Sequence, residues 1–177
     1  MHAKTTSNRH KEIFKNPAAV NFLRANRLGV LATSSHEDNS PQTAFVYYVL
    51  NKELDIFILT SKESRKFKNI TKNSKVSFLV GQEIDPVVLQ IEGVASVVVD
   101  TDLKFEVTKL LATAANANPK SLSFPPQFYI AGKNKIIQIT VTDLKYSNFT
   151  HSQTVTRSAR TCSGVLLPEV RPPGKAP

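Results

Sequence analysis

Three consecutive side chains, Ser64, Arg65 and Lys66, are the residues of this sequence best suited to bind a charged ligand. They follow an apolar run at 54–60 that predicts a strand, and they open a segment at 64–73 that predicts a short helix. The first turn of a helix presents unpaired backbone N–H groups and the positive end of the helix dipole, which together attract anions. A hydroxyl, a guanidinium and an ammonium there can all donate to phosphate oxygens. The pattern therefore predicts a phosphate site where the strand leads into the helix.

The same segment has a plainer interpretation as a solvated helix face. Residues 62–75 contain six basic side chains and one acidic side chain, and runs of charge most often face water. Ser64 would then serve only as the cap of the helix. Basic side chains in a first helical turn oppose the helix dipole, however, and a helix with a structural role alone favours Asp or Glu there. This local conflict favours a bound anion.

The composition is that of a folded chain with one core. The chain has 177 residues, of which 41% are apolar and 21% are charged, and its net charge is +9. Cys162 is the only cysteine, so no disulfide forms within the chain, and no apolar run approaches the roughly 20 residues of a membrane span. Residues 1–15 are polar and basic, without the apolar stretch of a secretion signal. These features indicate a cytoplasmic protein with no membrane contact.

Residues 16–150 predict a single domain of antiparallel strands. The links between strands are mostly of hairpin length, which excludes a parallel sheet, and five or six strands with little to cover an edge favour closure into a barrel. The predicted strands are 28–33, 43–50, 54–60, 75–80, 87–100 with a bend or bulge at Gly93, and 135–141 or onward to 146; the predicted helices are 16–26, 64–73 and 102–116. Residues 1–15 are then a flexible basic arm, and residues 151–177 a disordered basic tail.

The pattern Thr60-x-x-x-Ser64-Arg65-Lys66 after an apolar strand resembles the flavin-phosphate segment of the pyridoxamine 5′-phosphate oxidase family, the FMN-binding split β-barrels. The resemblance runs from about Asn16 to Phe149 and includes the order of the elements. It implies a mainly β fold, a six-stranded antiparallel split barrel of the FMN-binding type with peripheral helices.

The resemblance also implies a cofactor and its position. In this family the second strand lies beside the flavin ring, the third strand ends at it, and the site lies between two subunits. The implied protein is a homodimeric FMN-dependent oxidoreductase acting on a small molecule, although some relatives bind deazaflavin F420 or haem instead. The implied cofactor-binding residues are Phe45, Val46, Tyr47, Leu59, Thr60, Ser61, Ser64, Arg65 and Lys66.

The sequence departs from the true pyridoxamine 5′-phosphate oxidases at several positions. Those enzymes carry a basic residue where Ala44 stands, another where Val49 stands and a Gln near Val88, together with a C-terminal region containing Trp and Arg for the pyridoxal substrate. This chain has no Trp. The resemblance is therefore to the general members of the family, whose substrates vary.

The sequence leaves two other functions open. A basic barrel with aromatic residues on its strands also suits nucleic acid, but the charges concentrate on the predicted helix and the chain ends, which makes nucleic acid the weaker interpretation. The other is a non-catalytic carrier of flavin, F420 or haem. A haem would need an axial ligand such as His36 or His151, and the four histidines show no spacing typical of a metal site.

Overall fold

The computed structural model describes residues 14–81, 86–116, 133–149 and 154–158, which contain three helices and seven strands. The helices are α1 (Pro17–Ala25), α2 (Arg65–Lys72) and α3 (Thr101–Asn116). The strands are β1 (Leu28–Ser34), β2 (Pro41–Leu50), β3 (Ile56–Ser61), β4 (Lys75–Gly81), β5 (Val87–Val97), β6 (Asn134–Asn148) and β7 (Thr154–Ser158). None of these helices is both long and apolar enough to cross a bilayer.

Six of the strands close into an antiparallel barrel. They follow the order β3-β2-β1-β4-β5-β6, and β3 also pairs with β6, which closes the circle. The closing register runs from Ile56 opposite Ile139 to Ser61 opposite Asn134. Closure leaves β3 without a free edge, and its residues 56–58 are buried on both faces of the strand. The predicted mainly β fold, a six-stranded antiparallel barrel with peripheral helices, is confirmed.

The seventh strand corrects the prediction for part of the C-terminal segment. β7 lies within residues 151–177, where the sequence indicated a disordered tail, and it pairs with β6 from Leu144 to Asn148. The reason is the length of β6, which has 15 residues while β3 covers only its first part. The backbone groups along the rest of that edge need partners, and β7 supplies them. The rest of the predicted tail, and residues 1–13 of the predicted arm, lie outside the described residues.

The main core fills the barrel interior and extends to α1. Tyr48 of β2 points inward and is buried, and its hydroxyl donates to the carbonyl oxygen of Leu23 in α1 at 2.8 Å. The Tyr48 ring meets Phe78 of β4 edge-on, with the ring centroids 5.3 Å apart. One tyrosine therefore joins α1, β2 and β4 through both its apolar ring and its polar end.

A second, smaller core lies between α3 and the outer face of the barrel. Val107 and Leu111 of α3 are buried in one cluster with Phe57 of β3 and Ile136 of β6. Leu110, which the sequence placed on the same apolar face of the helix, is exposed. The buried stripe of α3 is narrower than its apolar composition predicts, because only one side of the helix meets the barrel.

Gly93 marks a β-bulge in the long strand β5, as predicted. The pairing of β5 with β6 shifts register between Glu92 and Gly93. A Cβ atom at Gly93 would lie 2.6 Å from Cγ2 of Ile139 and 2.9 Å from the carbonyl oxygen of Thr140. The close approach of β6 at this point therefore requires glycine.

Replacing Gly93 by alanine should destabilise the barrel. The added methyl group meets backbone as well as a side chain, so we expect Gly93→Ala to lower the free energy of unfolding by about 1–3 kcal/mol in urea denaturation. The matched control is Gly81→Ala, whose new methyl group would come no closer than 3.4 Å to Val88. Equal stabilities of the two variants would contradict the close approach at the bulge.

Candidate functional site

The end of β3 and the start of α2 are joined by hydroxyl groups. Ser64 has an extended backbone (φ −69°, ψ 147°), and its Oγ accepts a hydrogen bond from the backbone N–H of Phe67 at 3.3 Å, as an N-cap does. The hydroxyl oxygens of Thr60 and Ser64 lie 2.9 Å apart. Thr60, buried at the end of β3, thereby fixes the residue that starts the helix.

Arg65 and Lys66, the first residues of α2, line a cleft of about 110 Å³ against β1 and β2. The other lining residues are Thr33, Gln42, Thr43 and Ala44. Ser64, Arg65 and Lys66 are therefore brought to one place: the exposed Arg65 and the half-buried Lys66 line the cleft, and the serine caps the helix beside it.

The cleft is electropositive, and no acidic side chain is among its lining residues in the described part of the chain. Among the described residues, neither Arg65 nor Lys66 forms an ion pair, and the first turn of α2 contains no acidic side chain. Partial burial lowers the pKa of the Lys66 ammonium below its ordinary value. A cation that loses water without gaining a counter-ion is unfavourable, so an anion in the cleft would stabilise this arrangement.

Asn69, on the buried face of α2, holds the helix against the strands of the cleft. Its Nδ2 donates to Oγ1 of Thr33 and to Oε1 of Gln42, each at 3.0 Å. Its Oδ1 accepts from the backbone N–H of His36 at 3.0 Å and lies 3.1 Å from His36 Nδ1. This fully buried amide uses all four of its hydrogen-bonding positions. One side chain therefore ties α2 to β1, to β2 and to the loop between them.

The three residues of β2 that the resemblance placed along a flavin ring point to opposite sides of the strand. Val46 lies in the barrel core, whereas Phe45 and Tyr47 lie on the outer face. Phe45 is 76% exposed and Tyr47 is half-buried. A ligand on the outer face could therefore contact the side chains of Phe45 and Tyr47, whereas the side chain of Val46 belongs to the core.

The remaining predicted residues lie at the end of β3. Leu59 is half-buried and packs on the outer cluster beneath α3, and Thr60 is buried next to Ser64. Ser61 Oγ accepts a hydrogen bond from the backbone N–H of Glu63 at 3.2 Å, which shapes the turn before the helix. None of these three side chains lines the cleft.

Thr33, Gln42, Thr43 and Asn69 belong to the site but escaped prediction from the sequence. Thr33 and Gln42 lie opposite each other in register, at inward-facing positions of strands whose other inward residues are mostly apolar. Polar side chains at such positions need partners, and that signal was present in the sequence. Asn69 carried no comparable signal, because only its tertiary contacts distinguish it from an asparagine on a helix surface.

The residues of the cleft suit binding better than acid–base catalysis. Within the described part of the chain, no carboxylate, imidazole or thiol lines the cleft, and no group of His, Cys, Asp and Glu is able to hold a metal ion. His36, one candidate haem ligand, directs Nδ1 at Asn69 and lies with Nε2 3.6 Å from Glu37 Oε1. His151, the other candidate, lies outside the described residues.

Known structures of the same fold span several kinds of protein. A conserved hypothetical protein from Mycobacterium tuberculosis is 22% identical, with a TM-score of 0.60, over 77% of this chain and 87% of that one. A haem-binding protein from Mycobacterium smegmatis is 18% identical, with a TM-score of 0.59, over 86% of this chain and 57% of that one. The haem storage protein HutZ from Vibrio cholerae is 18% identical, with a TM-score of 0.55, over 81% of this chain and 94% of that one. At these identities the likeness shows the fold alone.

Sequence comparison identifies the family directly. No curated protein sequence matches the chain at a significant level. The sequence profile of the family described as pyridoxamine 5′-phosphate oxidase, however, matches residues 16–148, a range that includes the whole barrel through β6 and every residue of the cleft. The chain therefore belongs to the pyridoxamine 5′-phosphate oxidase family.

Proposed function

We propose that the protein binds FMN, with the phosphate at the start of α2 and the ring beside β2, and acts as an FMN-dependent oxidoreductase on a small molecule. The observation that carries this proposal is the pair of cations at the start of α2. Arg65 and Lys66 share a cleft, have no acidic partner among the described residues, and include a partly desolvated ammonium. A doubly charged phosphate supplies the missing counter-charge.

The expected affinity for FMN follows from the number of hydrogen-bond donors at the start of α2. The guanidinium of Arg65, the ammonium of Lys66 and the backbone N–H groups of the first turn are all donors. Hydrogen bonds to charged groups contribute about 1.5–3 kcal/mol each, so three or four of them with apolar contacts to the ring give micromolar affinity or better.

A bound flavin supplies the electron or hydride transfer, so the protein needs no nucleophile of its own. The side chains of this chain bind and orient. Arg65 and Lys66 hold the phosphate, and Asn69 keeps them at a set distance from β2. The exposed outer face of β2 at Phe45 leaves room for a ring and for a substrate stacked on it.

We extend the proposal to a homodimer, because one chain supplies only part of a cofactor pocket. The cleft measures about 110 Å³, whereas pockets that enclose such a ligand measure roughly 300–1,000 Å³. Next to the cleft, Phe45 lies in register with Val30, which in turn lies in register with Leu79. This apolar row on the outer face fits a second copy of the chain, which would complete the pocket.

Removing both cations should discriminate between FMN and riboflavin, which lacks the phosphate. Arg65→Ala combined with Lys66→Ala loses two charge-assisted hydrogen bonds, so FMN affinity should fall by roughly 100-fold or more while riboflavin affinity changes little. Fluorescence titration of each flavin measures both values.

The control for this pair removes two charges from the same helix outside the cleft. Lys68→Ala combined with Lys72→Ala should leave FMN affinity within about threefold of the original, since both side chains are exposed. Equal loss of both flavins in the cleft variant would refute the phosphate site. A haem absorption band in the purified protein, or strongly salt-dependent oligonucleotide binding without flavin binding, would favour the other functions.

Lys66 should stabilise the complex and destabilise the free protein. Burial lowers the pKa of Lys66, so the unfolded chain binds more protons than the folded chain between that lowered pKa and 10.5. The charged ammonium therefore destabilises the folded, flavin-free protein fully at neutral pH, and this destabilisation is relieved as the pH rises through that window. Lys66→Met should therefore raise the melting temperature of the flavin-free protein and lower FMN affinity. The exposed Lys68→Met is the control, and a fall in both quantities for Lys66→Met would contradict this assignment.

The dimer proposal is tested on two phenylalanines of equal exposure. Phe45 is 76% exposed on the barrel and Phe105 is 75% exposed on α3. Phe45→Asp should convert the dimer to a monomer and weaken FMN binding at least about tenfold, because a charge replaces the most exposed apolar side chain of the proposed interface, next to the cleft. Phe105→Asp should change neither. Light scattering after size-exclusion chromatography gives the molecular mass, and a dimeric Phe45→Asp variant would refute this interface.

A further inference from the structure

The orientation of two side-chain amides near the cleft is set by one backbone group. The backbone N–H of His36 can only donate, so the Asn69 atom 3.0 Å from it is the carbonyl oxygen Oδ1. Asn69 Nδ2 therefore faces the other way, toward Thr33 and Gln42.

The orientation of the Asn69 amide fixes the orientation of the Gln42 amide. Asn69 Nδ2 can only donate, so the Gln42 atom 3.0 Å from it is Oε1. The Gln42 amide nitrogen Nε2 then points away from Asn69, and it has no hydrogen-bond partner among the described residues. Gln42 lines the cleft together with Arg65 and Lys66.

The side chains around the cleft thus present donors. Arg65 and Lys66 only donate, and Nε2 of Gln42 adds a neutral donor. Thr33 Oγ1 already accepts from Asn69, which leaves its own proton to donate. A group with several acceptor oxygens can satisfy all of them, whereas an alcohol oxygen accepts at most two hydrogen bonds and an amine nitrogen at most one, so donors are left unpaired.

We propose that Gln42 is a ligand-binding and specificity-determining residue, turned by Asn69 so that its amide nitrogen donates to the ligand. Through it the cleft selects acceptor-only groups, such as a phosphate dianion, over hydroxyl groups of similar size. This proposal rests on the proposed function, because it takes the FMN phosphate as the group that Gln42 contacts.

The substitution that tests this role is Gln42→Glu, which has the same shape. One carboxylate oxygen still accepts from Asn69, and the other replaces the donor in the cleft with a negative charge. We expect FMN affinity to fall at least about tenfold and riboflavin affinity to stay within about twofold. The melting temperature of the flavin-free protein should not fall, since the bond to Asn69 is kept and the new carboxylate lies in the cleft with Arg65 and Lys66. Asn21→Asp makes the same change in net charge at an exposed position of α1, away from the outer-face row of Phe45, Val30 and Leu79, and should leave both affinities unchanged.

A second measurement needs no variant to fold. In ¹H–¹⁵N spectra of the unsubstituted protein, the side-chain NH₂ signals of Gln42 should shift on addition of FMN and stay in place on addition of riboflavin. Triple-resonance spectra that connect each NH₂ group to the backbone of its residue identify the Gln42 signals.

The outcomes separate the two proposals. Weaker FMN binding by Gln42→Glu than by Asn21→Asp, with shifted Gln42 signals, supports the role of Gln42. Equal FMN binding by these variants, or Gln42 signals unmoved by FMN, overturns that role and leaves the flavin site standing. Absence of FMN binding to the unsubstituted protein overturns the flavin assignment and the role of Gln42 together.

Discussion

The buried amide of Asn69 is the interaction on which the candidate site depends. α2 has 8 residues, which is too short for a helix to be stable alone. Burial of Ile70 attaches α2 to the barrel, but apolar contact has little direction. The four hydrogen bonds of Asn69 add direction, because each requires its partner at one distance and angle. The positions of Arg65 and Lys66 relative to β2 follow from them.

The three helices described in this chain differ in the charged side chains at their N-termini. α1 is capped by Asn16, and α3 is capped by Asp100 with Asp102 in its first turn, as helix stability favours. α2 is also capped, by Ser64, but its first turn contains two cations and no acid. The first turn of α1 has no acid either, but it carries no cation. The departure from the rule at α2 is therefore its pair of cations, and it lies at the wall of a cleft, where a binding site would account for it.

The sequence predicted what depends on neighbours along the chain. The capped start of α2 and the bulge at Gly93 are local patterns, and the hairpin lengths between strands predicted antiparallel closure. The contacts of Asn69 span 27 to 36 residues, so neither the role of Gln42 nor the cleft itself could be derived from local spacing. β7 escaped prediction for a related reason, since it forms only because β6 extends beyond its partner β3.

Barrel closure also orders events during synthesis on the ribosome. Ile56 of β3 pairs with Ile139 of β6, so the first strand of the seam leaves the exit tunnel more than eighty residues ahead of the second. Until β6 emerges, the nascent chain has no partner for the outer edges of β3 and β5, because β6 pairs with both. A chain released before that point presents two bare, apolar edges to its neighbours, so incomplete products of translation join one another edge to edge or are held by chaperones.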